Sequence, residues 1–179
     1  MRAILGFIFA VILVFIIPSC SGDSHQLSEK ESFGYKIIGT TAKVLEKRYK
    51  LQVIGSGASM PDMVRSLNIH FRIDRPIEKL EARKIIVDCA SELIKNMNNS
   101  EVIRPYLQNY PVTSQNIEVT LFSYYPDGSR VYFPLVHSVA VRRGGIAFFT
   151  KDPEHEFGYK TEEYETFEEA LEILKQDKK

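Results

Sequence analysis

Apolar residues are distributed along this chain in three ways. From Ala3 to Ile17 they form a run of fifteen residues broken only by Gly6. From Leu67 to Ile73 they alternate, with Leu67, Ile69, Phe71 and Ile73 set between Asn68, His70 and Arg72. From Ile77 to Met97 they recur at helical spacing as Ala82, Ile86, Cys89, Ala90, Leu93 and Met97. Alternation predicts a strand with one buried and one wet face, and the stripe predicts a helix with Pro76 in its first turn.

The remaining elements follow from weaker patterns. Phe33, Ile37, Ile38, Val44 and Leu45 predict a helix over 32–49, and 51–56 reads as a strand joined to 67–73 as a hairpin through the breaker-rich GSGASMPDM. Ser100 is placed to cap a short helical stretch through Leu107, and 108–116 reads as a loop. Strands are predicted over 117–124 and 130–134 across Pro126-Asp127-Gly128-Ser129, and over 136–142 and 146–150 across Arg143-Gly144-Gly145. A charged loop then leads to Thr166-x-x-Glu169, a capping box before Phe167, Ala170, Leu171 and Leu174. The order predicts a single α+β domain over 32–179: an antiparallel sheet of about six strands, with two long helices and a short C-terminal helix packed on one face.

The N-terminal run has a different meaning. Met1 and Arg2 precede it and Pro18 stops it, so residues 1–19 have the layout of a secretory signal, and at fifteen residues the run is short for a membrane span. The junction Ile17-Pro18-Ser19-Cys20 resembles the lipobox of bacterial lipoproteins. That resemblance implies cleavage between Ser19 and Cys20, a thioether-linked diacylglycerol on Cys20, and acylation of the new amino group. The protein would then be held in the lipid bilayer through acylated Cys20, stably once two or three chains are buried. Ser21, where Asp would direct retention, implies the outer membrane. Residues 20–31 are small, polar and charged, as a flexible tether requires.

Composition sharpens this picture. The chain has 23 Lys plus Arg, 23 Asp plus Glu, 44% apolar residues and 2 Cys. Neutrality argues against general nucleic-acid binding, the apolar content against disorder along the whole length, and the cysteine count against a disulfide scaffold. The neutral total conceals segregation: basic residues concentrate at Lys43, Lys47, Arg48 and Lys50 and over 65–84, acidic ones over 152–172.

Candidate chemistry is sparse. Ser56 or Ser59 in GSGAS with His70 would make a nucleophile and base, but GSGAS has neither Walker nor nucleophile-elbow spacing. The same glycines suit a strand end where another backbone passes close. Glu154, His155 and Glu156 are the only tight imidazole and acid cluster, and adjacent side chains rarely converge on one metal ion. Cys89 falls on the apolar stripe and is assigned to the core. Phe122, Tyr124, Tyr125, Tyr132 and Phe133 are assigned to core packing, with an exposed partner surface as the alternative. The reading that results is a lipid-anchored envelope lipoprotein with a non-catalytic binding or structural domain, partnered by an envelope component and using no cofactor. The alternative is a small periplasmic hydrolase built on Ser56 or Ser59 with His70.

Overall fold

In the computed structural model, residues 27–155 and 157–177 are described. The signal segment, the lipobox and Cys20, together with Glu156, lie outside them.

The elements in chain order are α1 (Glu29–Tyr49), β1 (Gln52–Ser59), β2 (Ser66–Ile73), α2 (Lys79–Asn99), β3 (Ile117–Ser123), β4 (Ser138–Arg142), β5 (Gly145–Thr150), β6 (Thr161–Thr166) and α3 (Phe167–Gln176), with short 3-10 turns at Arg104–Tyr106 and Ser114–Asn116. The fold is α+β, a single domain. Its six strands lie side by side in the order of the chain, β1-β2-β3-β4-β5-β6. Every pairing is antiparallel except β2 with β3, which is parallel with Ile69 opposite Val119 and Phe71 opposite Leu121. Parallel neighbours need a long crossover, and α2 with the loop after it supplies one.

Local sequence explains the ends of the helices. Glu31 accepts hydrogen bonds from the amide and hydroxyl of Ser28 at the start of α1, and Lys50 closes that helix in the left-handed region at φ 56°. At α3 the predicted capping box forms, with Thr166 Oγ1 accepting from the Glu169 amide at 3.1 Å and Glu169 accepting from the Thr166 amide at 2.7 Å. Replacing Thr166 by Ala is expected to cost about 1 kcal/mol, read as a lowered urea midpoint at unchanged slope.

The core lies between one face of the sheet and the helices. Leu67, Ile69 and Phe71 of β2, Ile117, Val119 and Leu121 of β3, Val139 and Val141 of β4 and Ile146 and Phe148 of β5 are buried against Ile37, Leu45, Ile86, Cys89 and Leu93. Cys89 is fully buried and its thiol is pushed up by burial, so it is core packing as expected. Asn98 closes the end of α2 onto the crossover loop, its amide donating to the Val112 carbonyl at 2.9 Å and accepting from the Val112 amide at 2.7 Å.

Three expectations need correcting. Residues 130–134 form no strand: Arg130 makes one bridge to Tyr124 and the chain then runs irregularly to β4. Both edges of β3 are already occupied, by β2 and by β4, which leaves no place beside it. The sixth strand is instead β6, in the segment read as a charged loop. GSGAS lies inside β1, not in the connection, and what approaches its glycines is side chain: a Cβ at Gly55 would sit 3.4 Å from His70, and one at Gly57 3.2 Å from the Asn68 amide.

The segregated charges meet in space. Lys79 of α2 contacts Glu163 of β6 at 2.7 Å, and Arg83 grips Glu165 with Nε to Oε1 at 2.7 Å and Nη2 to Oε2 at 2.8 Å. The two side chains of the second pair are only 9% and 11% exposed, under α2 and beside the Phe148 ring.

Candidate binding face

Strand alternation gives the sheet two faces, and all three helices and the core occupy one of them. Among the described residues, no helix packs on the other. Cross-strand register sets three rows on this open face. The middle row runs from Gly55 through His70, Thr120, Ala140 and Ala147 to Tyr164. On one side lie Arg72, Phe122, Ser138, Phe149 and Glu162; on the other, Asn68, Glu118, Arg142, Gly145 and Thr166. Small side chains in the middle separate two ends of different chemistry.

One end is aromatic. Phe149 stacks on Tyr159 with ring centroids 4.5 Å apart and meets the exposed Tyr164 edge-on at 6.5 Å. The Arg72 guanidinium covers the Tyr124 ring at 4.5 Å while Nε bonds Asp74 at 2.5 Å, and Lys160 and Lys151 lie over Phe133 and Tyr159. The assignment of these rings to the core is therefore corrected: Phe122, Tyr124 and Tyr132 are half-buried, and Tyr125 and Phe133 are exposed. Phe71 and Phe148 supply the large rings under the helices instead.

His137 is the residue at this end that sequence reasoning missed. It is 7% exposed, packs edge-on against Phe122 and Tyr124, and its Nδ1 is buried without a hydrogen-bond partner among the described residues. Burial pushes the imidazole down to about 4, with Lys151 and Arg130 adding to the effect. It is neutral near pH 7. The available signal was its setting in Leu135-Val136-His137-Ser138-Val139, where apolar neighbours on both sides mark a polar group carried inwards.

The other end is a polar cleft of about 470 Å³ whose lining includes Ser59, Arg65, Asn68, Gln115, Arg142 and Arg143. Arg143 and Gly144 turn the chain from β4 to β5 with φ of 50° and 77°, the paired positive values of a tight hairpin. Hydrogen bonds from the Gly144 amide to the Ser114 carbonyl at 3.2 Å and from the Phe167 amide to the Gly144 carbonyl at 2.9 Å fix that turn.

The proposed hydrolase residues do not converge. Ser56 pairs with Ile69, whose side chain is in the core, so it points to the face opposite His70. Ser59 shares the open face with His70 but pairs with Ser66, four residues along β2 from His70, or roughly 13 Å. Of the metal candidates, His155 is exposed with Nδ1 3.9 Å from Asp152, and Asp152 also meets Lys160 at 3.5 Å and accepts the Glu154 amide. Among the described residues, no group of three His, Cys, Asp or Glu is placed to hold a metal ion. A further groove of about 340 Å³ between α2 and α3 is lined by Val87, Leu171 and Leu174 with two acids, Asp88 and Asp177, of which Asp88 is held by Arg48 and Tyr49. Among the described residues, the open face thus offers stacking and charge pairing and no assembled nucleophile and base. No family model, curated protein or solved structure matches this chain.

Proposed function

We propose that the protein is a lipid-anchored component of a bacterial envelope, bound to the outer membrane through acylated Cys20, whose domain is a binding module working without catalysis. The observation that carries the binding half is the open sheet face, with rings and cations at one end and a guanidinium-lined cleft at the other. The anchoring half rests on the signal and lipobox pattern of residues 1–20. The nine residues from Cys20 to Ser28 reach at most about 30 Å when fully extended, which keeps the domain close to the bilayer surface and its partner within the envelope. That partner presents an apolar surface to the aromatic end and negative charge to the arginine end.

Two measurements test the two halves. Cells expressing the full chain and fed radiolabelled palmitate should label the protein, and Cys20→Ala should abolish the label; label retained at wild-type level overturns the anchor. Crosslinking in intact envelopes should give a discrete adduct that a Tyr124→Ala/Tyr159→Ala protein loses. An adduct unchanged by that pair removes the open face from the function.

A further inference from the structure

We propose that the cleft at the arginine end of the open face binds a phosphate monoester group. This deepens the binding role read for that face by supplying the chemistry of one of its ends.

Elsewhere in the fold, Arg48, Arg72, Arg75 and Arg83 each hold a carboxylate at 2.5–2.7 Å, and Arg104 covers the Tyr110 ring at 4.8 Å. Arg65 and Arg143 have no carboxylate partner among the described residues, and both line this cleft. The third, Arg142, meets only Glu118, at 3.4 Å and largely in solvent. Three guanidiniums against one carboxylate leave the cleft with two uncompensated positive charges, matching the charge of −1.5 to −2 that a phosphate monoester carries near pH 7.

Neutral donors complete the lining. The side chains of Ser59, Ser66, Asn68 and Gln115 are not engaged in hydrogen bonds with other described residues. Guanidinium forks suit the oxygens of a phosphate and pair with it more strongly than neutral donors do. The three arginine side chains are exposed, and the backbone that carries two of them is fixed. Arg143 is on the hairpin turn fixed by Ser114 and Phe167, and Arg65 follows the loop that its own amide closes onto the Ser59 carbonyl at 2.8 Å. A cleft of about 470 Å³ accommodates the phosphate and the first atoms of whatever carries it.

The group can arrive on a soluble molecule or on a lipid headgroup, and titration of the full-length protein in neutral detergent separates these. One arm adds glycerol phosphate and the other adds phosphatidic acid carried in the same detergent micelles, with phosphatidylcholine as its control, and both are followed by calorimetry. Saturable binding in either arm, weakened about tenfold or more by Arg65→Gln/Arg143→Asn at an unchanged urea midpoint, is the expected result. Asn tolerates the left-handed backbone at 143, so this variant keeps the turn. No saturable binding below about 10 mM in both arms, or binding that the double variant leaves intact, overturns the proposal. The Tyr124→Ala/Tyr159→Ala protein should bind phosphate normally. Phosphate binding without an envelope adduct leaves the cleft standing and overturns the wider reading; an adduct without phosphate binding does the reverse.

Discussion

Glu165→Ala is expected to destabilise the domain by about 3 kcal/mol, measured as the free energy of urea unfolding at pH 7. The substitution leaves the Arg83 guanidinium under α2 with its bidentate partner gone and only 9% of its side chain in contact with solvent. Most of the cost is the unpaired charge and not the net worth of the pair, because forming a buried pair already requires desolvating both ions. Arg83→Met/Glu165→Met removes both charges and keeps the volume, so it should recover most of the loss. A double variant as unstable as Glu165→Ala would mean that the contact stabilises by its charges. A single variant within about 0.5 kcal/mol of the parent would mean that the site is wet, as at an exposed ion pair.

His137 should impose an acid limit on stability. Its ordinary value in an unfolded chain is about 6.5, and in the fold burial pushes it down to about 4. Above 6.5 both states are neutral and the contribution is complete. As pH falls through 6.5 the unfolded chain takes a proton that the fold refuses until about 4, so stability declines across that window and levels off below it. The span corresponds to a loss on the order of 3 kcal/mol. His137→Leu removes the titrating group, and because Nδ1 has no partner among the described residues it sacrifices no hydrogen bond to them. Unfolding free energies of parent and variant at pH 7 and pH 4 give the result: the acid loss should be smaller in the variant by most of that amount. Equal losses would show that the imidazole is protonated within the fold over this range.

The parts of the fold legible in the sequence are those whose burial is apolar. β2 announces itself because each inward residue, Leu67, Ile69, Phe71 and Ile73, is hydrophobic, and α2 because its stripe is. β6 pairs in register with β5, but the residues it turns towards the helices include Glu163 and Glu165, which are paired with Lys79 and Arg83 about eighty residues earlier, and of the two acids only Glu165 is closely covered. A strand docked through ion pairs, with no apolar residue turned inwards, reads as a loop until its partners are known. The parallel pairing of β2 with β3 was hidden for a related reason, since strand, helix, strand order is compatible with either direction and only packing chooses. The binding face was legible in its ingredients and not in its placement. Phe122 and Phe148 are both rings in strands, and only register places one in the open and the other under α2.

Strand order that repeats chain order has a consequence for how the sheet can be completed. Each strand from β2 to β6 finds its partner in the strand just before it, so none has to be threaded between two that are already joined. A chain emerging from its N-terminus can therefore add strands at one advancing edge, pausing once while the crossover from β2 to β3 is spanned. The last strand to arrive carries Glu165. Until then Arg83 is open to water, and its charge becomes buried only with the step that also neutralises it.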